Sequence, residues 1–564
     1  MNTILLPFFS SRLWLMPVGI VLLLLGQNTF AQSTWNGISW SNGAPTATVD
    51  AIIASSVAPG SFTAKTLTIS SGVELTINTD DTVILNGSLT NYGNGVSGVG
   101  HLRFVANGSL LGNTLNFNGV LSTAAGATLT TGGRLRLTSN ATNTGSIGNS
   151  QGAIIGDITI ERYIPGGRRA FRFFAHPFAG SLPLTQLTDD IDITGNGGTV
   201  NGFSTSDTNN PSAFWFNTTT GDNSTSGNNP GWSAFTSTNG TGVNAWGTYG
   251  VVRVLVRGAV GEGLSQNSYT PSPVTIDLTG SQIKQGSGSI PFTRGTNTNF
   301  VIVGNPYAAS VNVDAIIRTN IGSAFFVWDA YQGTKGGYTS YTFGSSNFVM
   351  PIFGSFITTL TASSGSCALT EAMKRTSTPT IILNNRGDNT YGLQLRLEDS
   401  TTFWDRMVIN FDNNSQSGDD YFDAQKLENP EVNFYCRSSN GKNLSIDSRP
   451  FVDAEVLSLG LVTPVKQGFK IKAENFNLPA GTRLFLNDRY LDKKMEITGN
   501  GFEYWFNVNE DATSSGNGRF ELITQGQLLP SASSLTITSD FNITSDSTKD
   551  NSKVNLRGVH SIKN

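Results

Sequence analysis

Cysteine, histidine and charge are scarce in this chain of 564 residues. Two cysteines, Cys367 and Cys436, are too few for a disulfide framework. In an oxidising compartment they could pair; the alternative is two buried thiols, since free cysteine is among the most buried residue types. The three histidines, His101, His176 and His560, lie in different segments, which leaves little material for a His-based metal site or a Ser/His/Asp triad. No serine stands in a G-x-S-x-G elbow, and no Gly-rich loop runs into Lys and Ser or Thr. His176, between Ala175 and Pro177, reads as a packing residue at a strand end rather than an acid or base.

Charged residues make up 13% of the chain, about half the usual fraction of roughly 25%. The formal net charge of −4 is mild and argues against nucleic acid or an anionic membrane as the partner. Long apolar runs are missing too, with one exception. Residues 1–31 carry a single charge, Arg12, then the apolar core "LWLMPVGIVLLLL" and the small residues of "TFA", which is the pattern of a secretory signal cut between Ala31 and Gln32. An initiator at Met16 would delete that charge, and Gln32 in place of Cys excludes a bacterial lipoprotein. Nothing else approaches the roughly 18 apolar residues of a membrane span, so the mature chain is expected to be soluble, without a transmembrane segment, and located outside the cytoplasm or at the cell surface after passage through the periplasm.

What is abundant is glycine, 63 residues, with much Ser, Thr and Asn, a composition suited to turns and exposed strand faces and poor for helix interiors. The expected fold class is all-β. Between Leu67 and Ile160 short alternating pieces such as "VELTIN", "LRFV" and "GRLRLTSN" recur at roughly 20-residue spacing between Gly and Asn turns, which favours the stacked rungs of a parallel β-solenoid over 32–160, with a meander as the alternative. Trp35 and Trp40 in the preceding Gly-rich loop are placed to cap the first rung or, alternatively, to form a sugar-stacking platform. Longer, aromatic-rich strands over 161–366 predict a β-sandwich. A linker over 367–379, a second sandwich or two small ones over 380–524, and a disordered tail over 525–564 complete the expected order.

One stretch concentrates charge: "DITIERYIPGGRRAFRFFAHPF" holds Arg162, Arg168, Arg169 and Arg172. Alternation, with a slip at Arg162 and Tyr163, divides these arginines across a hairpin turned by "PGG" and between its two faces, with Asp157 and Glu161 near enough to neutralise them. The reading is edge-strand charge with stems packed over aromatics, not a convergent anion site.

The same stretch, with "TNFVIVGNPYAASVNVDAII", "AFFVWDAYQGTKGGYTSY" and "FDAQKLENPEVNFYCRSSNGKNLSIDSRPF", resembles large secreted surface proteins of the Bacteroidota, which leave by the general route and then the type IX secretion system. The opening "TWNGISWSNGAPT" and the later "SSGNGRFELI" extend the resemblance over about Trp35 to Ile523. It implies contact with that secretion machinery and says little about activity. Such proteins end in a C-terminal sorting domain, whereas "VNLRGVHSIKN" does not look like one, so this copy is expected to be truncated or to lack that domain.

Carboxylates are the remaining chemistry. Asp190, Asp192 and Thr194 open like a calcium loop, but Asn201 stands where the bidentate acid belongs; Asp412, Asp419, Asp420 and Asp423 around Gly418 are a weak candidate for a structural Ca²⁺. A paired-carboxylate glycosidase could draw its acids from anywhere in the fold. Composition and motifs together favour a non-catalytic secreted or cell-surface structural or adhesive protein needing no cofactor, its partners surface glycans or other extracellular proteins. The alternative is a carbohydrate-binding surface protein or a polysaccharide-active enzyme component.

Overall fold

A computed structural model describes residues 32–219, 231–247, 250–266, 268–296, 298–375 and 391–526. The leader with its Ala31–Gln32 cut, most of the tail, and residues 376–379 of the expected linker therefore lie wholly or partly outside the described residues. The described chain is all-β: its helical turns are short 3₁₀ segments, and no helix is long and apolar enough to cross a membrane.

The first unit is a β-solenoid of about six turns. Strands of two to five residues, with a final one of seven, stack in parallel, one face running from Gln32–Trp35 through Leu67–Ile69 to Ala153–Ile155 and another from Phe62–Ala64 to Ser146–Ile147. The third includes Leu115–Phe117, Leu135–Leu137 and Ile158–Ile164. Register makes like stack on like. Phe62 pairs with Val83, Val83 with Leu102, and Leu102 with Leu121, all buried. On a neighbouring face Leu67, Leu89 and Leu110 form a second buried column. Each rung alone has too little apolar surface to close a core, so burial comes from the rung above and below. Corners are tight: Gly98 sits at φ +89°, and a Cβ there would lie 2.1 Å from the Ile77 carbonyl oxygen. Trp35 and Trp40 pack with ring centroids 5.6 Å apart, Trp40 meets Phe62 edge-on, and Trp35 Nε1 donates to the Val57 carbonyl, so both rings lie over the first rungs.

The last rung is closed by antiparallel pairing. Ile158–Ile164 stacks in parallel on Leu135–Leu137 and on its other edge pairs over seven residues with Val274–Gly280. The solenoid sheet therefore continues into the following part of the chain. Arg136, Glu161 and Asp277 from these three strands join in one ion-pair group, at 2.5 Å and 2.6 Å from the guanidinium.

Beyond it lie separate antiparallel sheets. Ala170–Phe174, Val252–Val256, Ala213–Phe216 and Trp232–Ala234 form one; Phe300–Gly304, Ser355–Leu360, Ile321–Asp329 and Gly337–Thr342 form another. The segment 367–379, expected to link two units, is described as far as Arg375, and so far it is paired. Cys367 belongs to Ser364–Leu369, hydrogen-bonded to Gly288–Thr293, and Lys374–Arg375 pairs with Ser310 and Val311. Residues 391–526 build one eleven-stranded sheet system around a separate core that includes Leu395, Phe434, Phe469 and Phe520. Three buried ion pairs reinforce it: Arg519–Asp488, Lys426–Asp405 and Arg449–Asp447.

Candidate binding cavity

The arginine-rich stretch is not a hairpin. Ile158–Ile164 pairs with Val274–Gly280, whereas Ala170–Phe174 pairs with Val252–Val256 in another sheet. The "PGG" turn carries the chain from the solenoid into a new sheet, and the strands on either side of it each pair with a strand from further along the chain.

The expected slip at Arg162 is also absent. Pairing runs unbroken from Ile158 to Ile164, with Arg162 opposite Ile276. Arg162 therefore shares the alternation of Ile158, Ile160 and Ile164, the inward side of the strand. A charge fits there because the strand has passed the solenoid interior and borders a hollow of about 390 Å³. Arg172 lines the same hollow, together with the strand end and turn Trp328–Tyr331.

The four arginines have different surroundings. Arg168 donates to the Thr334 and Tyr331 carbonyls at 3.1 Å each, which agrees with a structural role. Arg169 is exposed. Arg172 donates to the Phe171 carbonyl and lies 5.4 Å from the Tyr331 ring centroid, while its buried Nη2 has no hydrogen-bond partner within the described protein. Among the described residues no ion pair joins a carboxylate to Arg162 or Arg172. Glu161, the expected neutraliser, is held by Arg136 and the Ser139 amide instead. Burial pushes the pKa of both Arg162 and Arg172 down, partly countered at Arg172 by Tyr331 and Asp329. Arginine still stays charged, so each guanidinium brings an incompletely compensated positive charge to the wall.

The other walls are aromatic and aliphatic. Trp328 stacks on Phe173 with centroids 5.5 Å apart and 11° between planes, and its Nε1 donates to the Phe171 carbonyl. Asp329, an acid in the wall, accepts the Tyr331 amide at 2.8 Å. Behind this wall Arg253 sits 4.0 Å from the Phe171 ring centroid and within 6 Å of Phe214, Trp232 and Trp328, where the guanidinium packs as a flat cation among aromatic rings. A smaller hollow of about 270 Å³ near Trp215 and Phe292 has no charged side chain in its lining.

The remaining sequence candidates do not converge. Asp412 accepts from Asn414; Asp420 accepts the Gln416 and Phe422 amides; Asp423 accepts those of Asp420 and Ser448; Asp419 accepts from Asn440. These carboxylates accept from amides of their own loop and from Asn440 and Ser448 of the neighbouring hairpin, and among the described residues no group of three or more His, Cys, Asp or Glu is arranged to hold a metal ion. Asp190 and Asp192 likewise accept the amides of Asp277 and Gly261. Cys367 and Cys436 are unpaired thiols in two different cores, the second of the alternatives open in the sequence. His176 is buried, takes the Phe178 amide on Nδ1 and contacts the Trp246 carbonyl through Nε2, and desolvation pushes its pKa down to about 4.

Sequence reasoning missed Trp328, Asp329 and Tyr331, which it placed only within an aromatic strand. The available signal was a lone acid flanked by Trp and Tyr in "VWDAY". The fold defines the chain as an all-β protein in which a β-solenoid is hydrogen-bonded to further sheets. No family model, no curated protein and no solved structure matches it.

Proposed function

We propose that the chain is a non-catalytic, exported surface or matrix component: a stiff solenoid continuous with sandwich-type β units that present polar loops to extracellular partners. The observation that carries this reading is the strand Ile158–Ile164, bonded to the solenoid on one edge and to the next unit on the other. Such a shared strand resists bending between units, as a load-bearing or spacing element requires, whereas a flexible linker would not. The division of 161–366 and 380–524 into sandwiches, export with cleavage after Ala31, and the type IX route belong to the same proposal. The extended solenoid faces and the weak net charge favour a protein or glycan partner over nucleic acid.

The test has two parts. Exported material is expected to begin at Gln32 on N-terminal sequencing, and a cytosolic chain with its leader intact overturns the export part. The purified mature chain is expected to leave polysaccharides, esters and peptides unchanged with or without Ca²⁺. Turnover abolished by replacing one particular Asp or Glu establishes a hydrolase or lyase instead.

A further inference from the structure

We infer that the hollow lined by Arg162, Arg172 and the segment Trp328–Tyr331 is a binding site for a small organic acid with a flat aromatic body, its carboxylate held by the Arg172 guanidinium. The volume, about 390 Å³, falls in the range of small-molecule sites. Charge selects an anion: two arginines line the hollow, the acid that sequence proximity offers to Arg162 is bound by Arg136, and Asp329 is the lone carboxylate in the lining. A carboxylate matches the planar donor array of a guanidinium, which an alcohol or amine does not.

Unused hydrogen-bonding capacity points the same way. Arg172 Nη2 and Ser355 Oγ belong to lining residues, are buried, and have no partner within the described protein. Buried polar groups are ordinarily satisfied, so a ligand oxygen at this wall would relieve a standing cost. The apolar part of the wall, with Trp328, Tyr341, Phe174 and Phe353, favours removal of a ring from water and provides few partners for the many hydroxyls of a sugar. That distinguishes an aromatic acid from an acidic sugar.

The site is independent of whether the chain is a surface scaffold, since binding without turnover is compatible with that reading and failure to bind leaves it standing. The experiment is calorimetric titration of the purified mature chain with 2-naphthoate, the neutral 2-naphthalenemethanol and glucuronate. One molecule of 2-naphthoate is expected to bind per chain, about tenfold or more tightly than the alcohol, as hydrogen bonds to a charged group imply. Glucuronate is expected to bind more weakly than 2-naphthoate. Arg172→Met should remove most of the preference for the acid, while Arg169→Met, at an exposed position outside the lining, keeps it. The comparison of acid with alcohol needs no variant, so it decides the matter even where a substitution prevents folding. Equal binding of acid and alcohol, no binding of 2-naphthoate, tighter binding of glucuronate, or an unchanged preference in the folded Arg172→Met variant overturns the assignment.

Discussion

The solenoid and the C-terminal unit reach a closed core by different means. In the solenoid each apolar residue stacks on its counterpart one rung away, as in the column Phe62, Val83, Leu102 and Leu121. In residues 391–526 partners come from far apart: Val456 pairs with Ile523, and Phe411 lies beside Arg449 in a parallel pair. There the core is bordered by charges that have no exposure to water, Asp488 and Arg519 being both fully buried. Asp488 also accepts from the Tyr504 hydroxyl at 2.8 Å, and Arg519 donates to the Asn507 carbonyl at the same distance. A repeating core tolerates local error, because each rung touches only its neighbours; a core closed by buried ion pairs depends on each partner being present.

Removing one such partner should give the largest effect. Asp488→Ala leaves Arg519 charged and buried, and is expected to destabilise the C-terminal unit by about 3–5 kcal/mol. Hydrogen exchange should show protection lost within 391–526 and retained in the solenoid rungs; uniform loss across both would mean that the two cores unfold as one.

Leu102→Ala in the middle of the solenoid column should cost about 2–5 kcal/mol, the range for a buried Leu replaced without collapse of the cavity. Fraying is expected first in the rungs that contain Val83 and Leu121, its register partners. If exchange instead accelerates equally throughout residues 32–164, the rungs are not nearest-neighbour units.

The C-terminal unit and the sheets that precede it also differ in response to pH. Burial raises the Asp423 carboxyl to about 7, overcoming the amides of Ser448 and Asp420 that favour the ionised form. Between an unfolded value of about 3.9 and that folded value the native state binds more protons than the unfolded state, so this group's contribution to stability is lost as pH rises from about 4 to about 7. His176, ahead of the C-terminal unit, acts in the opposite direction: with its pKa depressed to about 4, the unfolded state binds the extra proton, and stability is lost as pH falls from about 6.5. Asp423→Asn should flatten the upper limb and leave the lower one. NMR titration of Asp423 with an ordinary midpoint near 4 contradicts the assignment.

The smallest effect is expected at the thiols. Cys367 and Cys436 are buried and unpaired, so a reductant should not shift the melting temperature, and alkylation should require denaturant. A lowered melting temperature under reduction would indicate a bridge and bring the separate cores into covalent contact.

The fold was legible where interactions are local and repeated. Rungs of roughly 20 residues, Gly and Asn corners and the paired tryptophans are written in short segments, and the solenoid follows from them. Glu161 shows where such reading stops: proximity in sequence assigns it to Arg162, whereas Arg136, stacked in from the preceding rung and paired also with Asp277, takes it away. Arg162 shows the same in its side of the strand. An arginine in an apolar alternation looks like a slip until the hollow beyond the last rung is seen.

The amino-acid order alone therefore determined an all-β chain, its solenoid and the absence of a conventional His- or Cys-based catalytic motif, because period, turn residues and composition act over a few neighbours. Which strands close the end of the solenoid, which acids neutralise which arginines, and the cavity that gathers Arg162, Arg172 and Trp328 were decided only by tertiary structure. These depend on contacts such as Trp328 to Phe171, 157 positions apart, and no local preference of the backbone encodes that meeting.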